Sequence, residues 1–297
     1  MKAYQREIII CIIASLVTIL AVWFFFGTVE DEKSVVQTDL YDVVAPSPNG
    51  LLVINRPNIL TGIMLKHPKI SEAFSTYLPD IYLSILQTTT IKPPILFSFH
   101  PQGVVMYSQT DGSLDAQIEN DVLKPILGIY NPHKTIKDDI MFTYYPDAKN
   151  RFLGFYQYND VFVASYSKKL LEEVATQQSK KKKILPREIN KIRQFADKSA
   201  PINLYIPADI LNLHININDS LQWRIYDKWL LTDIFTGEGN ICYFGSQPYF
   251  AHLDTLYAPM ADTLSKRIES YFPQLHITPE INHDENMIYY TGCSPME

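Results

Sequence analysis

Polar and apolar positions follow three rhythms along this chain. The first is an unbroken apolar run over residues 8–26, with no charged side chain in it. A helix rises about 1.5 Å per residue, so a run of this length nearly matches a hydrocarbon core of roughly 30 Å. A cleaved signal peptide would need small residues two apart after the core. The chain reads Phe24-Phe25-Phe26-Gly27-Thr28 there instead. A lipoprotein would need a cysteine after small residues, whereas Cys11 follows three isoleucines. An uncleaved single span fits best. Lys2 and Arg6 precede it and Lys33 follows the acidic stretch after it, which predicts a cytoplasmic tail at 1–7 and the C-terminal part outside.

Beyond the span, helical and strand rhythms interleave. Residues 27–49 read as a stalk stiffened by Pro46 and Pro48. Residues 51–55 read as a buried strand. Residues 70–86 carry Phe74, Tyr77, Leu78, Ile81 and Ile85 at helical spacing, with a break at Pro79. Residues 95–107 predict two strands around His100-Pro101-Gln102-Gly103. Ser113 is placed to cap a helix over 114–124, which Pro125 should end or kink. Strands are predicted at 140–145, 152–158 and 161–166, the last two joined at Asn159-Asp160. A helix over 168–177 should bury Leu170, Leu171, Val174 and Ala175. After the polar connector, Pro186 should open a helix to 198 with Ile189, Ile192 and Phe195 inside. Strands are predicted at 203–206, 213–217, 221–226, 241–244 and 287–290. Residues 258–271 carry Met260, Leu264, Ile268 and Tyr271 on one helical face.

This pattern predicts an α+β fold: one N-terminal transmembrane helix, and an ectodomain of antiparallel sheet covered by amphipathic helices. The ectodomain divides into residues 50–178, a connector at 179–185 and residues 186–297. Its halves echo each other. Leu52-Val53-Ile54 is answered by Leu204-Tyr205-Ile206, and residues 103–107 by 239–243. An old duplication would leave this trace, and so would chance matches of short apolar patches.

Composition adds limits. The chain has 297 residues, a net charge of −6 and 20% charged residues, as expected of a globular acidic domain without general nucleic-acid affinity. Cys242 and Cys293 are the two cysteines beyond the span. Spacing alone leaves a disulfide and a pair of small buried thiols both open.

Four patches resemble a known bacterial family, the domain of unknown function 3352 proteins. They are Leu40-Tyr41-Asp42-Val43-Val44-Ala45-Pro46, residues 155–165 from Phe155 to Ser165, Trp229-Leu230-Leu231-Thr232-Asp233-Ile234, and the N-terminal span itself. The resemblance implies a membrane-anchored envelope protein. It brings no activity and no catalytic residues.

Chemical signatures are sparse. The chain contains no G-x-S-x-G, no P-loop, no G-x-G-x-x-G, no H-E-x-x-H and no paired C-x-x-C, so no catalytic, cofactor or metal residue is assigned. His276, Glu280, His283, Asp284 and Glu285 would suit a metal as imidazole plus carboxylate, or form an exposed loop. His100 is a turn residue or a base. Asp138 and Asp139 could work with Asp147 as acid and base, or simply sit in a solvated turn. Lys180 to Lys183 could meet phosphates or an acidic partner, or serve as a flexible linker. The leading reading is a membrane-tethered, non-enzymatic binding or scaffolding module in the bacterial inner membrane, with its C-terminal domain periplasmic. Its expected partners are the membrane, through the N-terminal helix, and an envelope protein. The alternatives are a membrane-anchored, hydrolase-like enzyme and a structural subunit of a membrane complex.

Overall fold

The computed structural model describes residues 38–87, 91–110, 113–128, 131–147, 151–180, 185, 187–207, 214–218, 221–224, 229–237, 239–248, 266, 280–283 and 287–295. Among them no helix is long and apolar enough to cross a membrane, and the run at 8–26 lies outside them. Asp39–Glu297 form one compact unit.

The chain enters through a 3₁₀ turn, Leu40–Val43, and strand β1, Gly50–Ile54. Helices α1 (Pro57–Lys66), α2 (Pro68–Tyr77) and α3 (Asp80–Leu86) follow. Prolines open the first two, where a missing N–H costs nothing, and Pro79 separates the third as its spacing predicts. Next come β2 (Lys92–His100), β3 (Gly103–Gln109) and α4 (Leu114–Ile118), which runs through a π turn, Glu119–Leu123, into α5 (Lys124–Leu127). Pro125 was expected to end or kink this helix, and it does not end it. It sits instead in the first turn of α5, directly after the wider π turn, and the helix continues. Four strands follow, β4 (His133–Lys137), β5 (Ile140–Asp147), β6 (Arg151–Tyr158) and β7 (Val161–Ser165), then α6 (Lys168–Ser179). The second half holds α7 (Arg187–Ile192), a 3₁₀ turn (Arg193–Phe195), β8 (Ile202–Pro207), β9 (His214–Asn218), β10 (Leu221–Arg224), β11 (Trp229–Gly237), β12 (Asn240–Pro248), β13 (Glu280–His283) and β14 (Met287–Pro295). The amphipathic stretch at 258–271 lies outside the described residues, Lys266 excepted.

Twelve of these strands form one antiparallel sheet, in the order β13-β14-β12-β11-β8-β1-β2-β3-β7-β6-β5-β4. Strands β9 and β10 pair separately. The central pair is β1 with β8, where Leu52 faces Leu204. Outward from it, the order β2-β3-β7-β6 on one side answers β11-β12-β14-β13 on the other.

Both faces are covered over the centre and first half of the sheet, so the strands there are buried along their length rather than alternating. Every residue of β1 and β7 is buried. The back face carries Leu52, Ile54, Ile95, Phe97, Phe155 and Phe162 under helices α1 to α5. The front face carries Leu51, Val53, Leu96, Val105, Tyr107, Val163 and Tyr205 under α6, α7 and the first 3₁₀ turn. Helix α6 buries Leu170, Leu171, Val174 and Ala175, the stripe its spacing predicts, and Ser167 caps it by accepting from Leu170 N–H.

Two expectations are corrected here. The stalk drawn over 27–49 does not extend through its second half. Leu40, Val43, Val44 and Ala45 are buried in the front core. Asp39 pairs with Arg193 at 2.6 Å, Arg193 lies over the Tyr41 ring, and Tyr41 Oη donates to Tyr205 Oη at 3.0 Å. This stretch is a strap across the sheet. The helix drawn to 198 stops earlier: α7 ends at Ile192 and tightens to a 3₁₀ turn before the extended Ala196. The tighter turn shifts the facing stripe, so Ile189 and Ile192 are buried while Phe195 is 45% exposed. Strands β4, β11 and β13 are absent from the sequence reading, β4 because its polar-rich edge pattern, with Ile136 its one large apolar residue, carries little strand signal.

Candidate functional site

The front face of β11, β12 and β14 forms the floor of an open cleft of about 590 Å³. Ladder register builds that floor as two rows. In one, Asp233 faces Phe244 and Phe244 faces Thr291. In the other, Phe235 faces Cys242 and Cys242 faces Cys293. Opposed residues in an antiparallel sheet share a face, so these six positions share the front face. Phe195 and Asp197, from the turn after α7, line the cleft as well. Phe235 and Phe244 are half-buried, and the Phe244 and Tyr289 rings touch at 5.5 Å between centroids.

Cys242 and Cys293 are joined by a disulfide across the β12–β14 ladder. The alternative of two small buried thiols does not hold, since Cys293 is exposed at the surface.

Asp233 lies 1% exposed at the inner end of the cleft. Burial pushes its carboxyl pKa upward, opposed by the backbone N–H of Asp197 and by Asn203. Both its oxygens are engaged: Oδ1 accepts from Asn203 Nδ2 at 2.6 Å and Oδ2 from Asp197 N–H at 3.0 Å. Asn203 Nδ2 also donates to the Asp197 carbonyl, and its Oδ1 accepts from Asn55 Nδ2 at 2.6 Å. The network ties β1, β8, β11 and the turn after α7 into one polar knot. A carboxylate so fully engaged is a structural acceptor rather than a poised base.

A second buried network runs beneath the strap. Ala45 N–H donates to Tyr107 Oη at 3.0 Å, Tyr107 Oη lies 3.1 Å from Ser98 Oγ, and Ser98 Oγ lies 2.8 Å from His100 Nε2. Proton count gives the chain a direction. Tyr107 accepts from Ala45 and spends its own proton on Ser98, whose proton then goes to His100 Nε2. His100 is thereby held neutral with its proton on Nδ1, and burial pushes its pKa down to about 4. Ser98 is fully buried, out of reach of a substrate.

The other residues weighed on sequence do not converge. Asp138 and Asp139, both at positive φ, form the two-residue loop of the β4–β5 hairpin, the backbone of a type I′ turn. Asp147 ends β5 at its far end, ~25 Å away at strand rise, and pairs with Arg151 at 3.0 Å. An acid–base pair among these aspartates is therefore ruled out by geometry. Glu280 and His283 belong to β13 rather than to a loop, while His276, Asp284 and Glu285 lie outside the described residues. Among the described residues no group of three or more His, Cys, Asp or Glu is placed to hold a metal ion. Lys180 ends α6 with its N–H on the Thr176 carbonyl, and Lys181 to Lys183 lie outside the described residues. Sequence reasoning missed Asn203, Asp233 and Ser98. For Asn203 the one signal is a lone polar residue inside an otherwise apolar strand, whereas Ser98 and Asp233 share their strands with other polar residues and carry no such mark.

No family model matches the chain, and no curated protein matches it. Among solved structures, crystal form I of TP0453 is similar with a TM-score of 0.48 at 10% identity, covering 88% of this chain and 94% of that one. Crystal form III of the same protein gives 0.47 at 10% identity, covering 88% and 96%.

Proposed function

We propose that this chain is a membrane-tethered envelope protein whose folded domain is a non-enzymatic binding module. The observation that carries the binding reading is the open, aromatic-walled cleft, in which each oxygen of the buried carboxylate already accepts a hydrogen bond from within the fold. An enzyme site would ask for a free polar group converging on a reacting atom. The tether rests on the uncharged run at 8–26. The Cys242–Cys293 disulfide supports a domain on the oxidising side of the membrane, with the tail at 1–7 cytoplasmic and the domain periplasmic. Kinship with the domain of unknown function 3352 proteins, on the four patches named above, belongs to the same proposal.

We also infer that the two halves descend from one unit. The mirrored strand order supports this, and the register does so in part. With Leu52 equivalent to Leu204, the ladders make Leu96 equivalent to Leu231 and Ser98 equivalent to Asp233, two like pairs, while Leu51 with Asn203 and Phe97 with Thr232 pair an apolar residue with a polar one. On the next strand the ladder equates Val105 with Phe244, three residues away from the match read in the sequence.

The test is photo-crosslinking in native membranes from benzoylphenylalanine placed at exposed apolar positions, followed by identification of what is bound. A recurrent protein adduct supports the module, and a chain that crosslinks to nothing sinks it. Labelling an engineered cysteine in the 180–183 connector of intact spheroplasts reports orientation, and protection there would reverse it.

A further inference from the structure

We propose that the outer face of α1, and the corner where α1 meets α2, rest on an anionic lipid surface. This rests on the tether reading of the run at 8–26 and adds a second membrane contact to it. Two surface helices show the contrast that carries it. Helix α6 buries one stripe and presents Lys168, Lys169, Glu172 and Glu173 on the other side, where Lys168 pairs with Glu172 and Lys169 with Glu173. That is how a helix meets water. Helix α1 buries Leu60 and Met64 in the back core. Its other positions include Ile59 and Ile63, both half-buried, and Leu65. Leu65 is 78% exposed, the most exposed large apolar side chain among the described residues. Lys66 is the only charged residue of the helix. One exposed leucine is ordinary. A surface helix with apolar residues on both sides is not.

Charge identifies the surface that this face fits. From Val43 to Ser71 the chain has no acidic residue, while Arg56, Lys66 and Lys69 are basic, in a chain of net charge −6. Exposed Lys66 and partly exposed His67 stand at the α1–α2 corner, next to Leu65. Helix stability does not account for all of this charge. Lys66 suits the last turn of α1. The first turn of α2, by contrast, holds Lys69 and no acidic residue, and a cation there opposes the helix dipole. Basic residues around an exposed leucine match an anionic bilayer. The aliphatic side chain enters the headgroup boundary and the ammonium groups meet phosphates. The tether supplies proximity. Residues 27–38 join the apolar run to the folded unit that begins at Asp39, and at full extension they span about 40 Å. Under the tether reading the unit is held beside the headgroups, where a contact too weak to recruit a free protein still forms.

The test uses the full-length chain reconstituted in phosphatidylcholine vesicles with or without phosphatidylglycerol. Benzoylphenylalanine replaces Leu65 in one preparation and Ile136, 74% exposed on β4, in another. The expected result is a lipid adduct at position 65, roughly fivefold above that at 136. It should fall roughly fivefold or more without phosphatidylglycerol or in high salt, since each basic residue at such a surface contributes about that factor. Lys66→Glu combined with Lys69→Glu should lower it roughly tenfold or more. Lys69→Glu puts an acid where the α2 dipole favours one, so a lost contact there is not lost folding. Equal lipid adducts at 65 and 136, indifference to phosphatidylglycerol, or an unchanged yield in the double variant would each overturn the lipid face. An adduct at 65 to a second copy of this chain in place of lipid, or to another protein in native membranes, would overturn it too. Flotation of the vesicles after alkaline extraction reports the tether separately. A chain that floats but gives no lipid adduct at 65 loses the lipid face and keeps the tether. A chain that does not float loses both.

Discussion

Lowering the pH should destabilise this fold through one histidine. His100 is nearly buried, and its Nε2 is committed as an acceptor at the end of the Ala45–Tyr107–Ser98 chain. A proton on Nε2 turns the His100–Ser98 contact into a bond donated to Ser98 Oγ, and the Ser98 hydroxyl proton then loses its acceptor inside the core. The pKa is pushed down to about 4 by burial, from about 6.5 in the unfolded chain. The sign follows from proton uptake. Above pH 6.5 both states are neutral and nothing is lost. Between 6.5 and 4 the unfolded chain binds a proton that the folded chain refuses, so stability falls as pH falls. At 1.36 kcal/mol per unit the full loss is at most about 3 kcal/mol, of which about 2 is gone by pH 5. Asp233, raised by burial, titrates with the opposite sign, so the measurement must be a difference. Urea midpoints of wild type and His100→Gln would be compared from pH 7.5 to 4.5. Wild type should lose stability more steeply than the variant below pH 6.5, and the gap should approach 2 kcal/mol at pH 5. Parallel profiles would refute the argument, because the buried chain would then be indifferent to the charge on His100.

Three further outcomes are expected. Cys293→Ser opens a disulfide that spans 51 residues. Loop-closure entropy puts the loss at up to about 4 kcal/mol, read as a fall in urea midpoint with the β12–β14 edge losing amide protection first. Gly154→Ala forces a methyl within 2.7 Å of Tyr144 and 2.8 Å of Leu171. It should cost about 1–3 kcal/mol, and pairing it with Leu171→Ala should recover part of that loss in a double-mutant cycle. Asn203→Ala removes the donor to Asp233 Oδ1 and the acceptor for Asn55, and should cost roughly 2–4 kcal/mol. Full stability in that variant would mean water replaces the amide without loss.

The elements with strong local signals were legible. The Leu170, Leu171, Val174 and Ala175 stripe is buried as its spacing predicts, Pro79 separates two helices, and Asn159 at positive φ makes the β6–β7 turn. What escaped was set by tertiary context. The buried 39–45 strap has no periodicity of its own, and its burial depends on Arg193 and Tyr205, more than 150 positions away. The cleft was invisible for a related reason. Its residues come from the β11, β12 and β14 ladders and the turn after α7, and only register brings Phe235, Cys242 and Cys293 into one row. Phe195 illustrates the limit best. Helical spacing puts it inside, yet a single 3₁₀ turn carries it to the cleft wall.

The position of β1 in the middle of the sheet sets a timetable for the nascent chain. One edge of β1 is satisfied by β2 soon after synthesis, because only the three helices α1 to α3 intervene. The other edge waits for β8, about 150 residues later, which at 5–20 residues per second is on the order of 8–30 s. Throughout that interval the first half presents Leu51, Leu52, Val53 and Ile54 along an open edge. A holding factor that shields this edge during synthesis or export would therefore act on the first half alone, and a chain released before β8 is made would aggregate through β1.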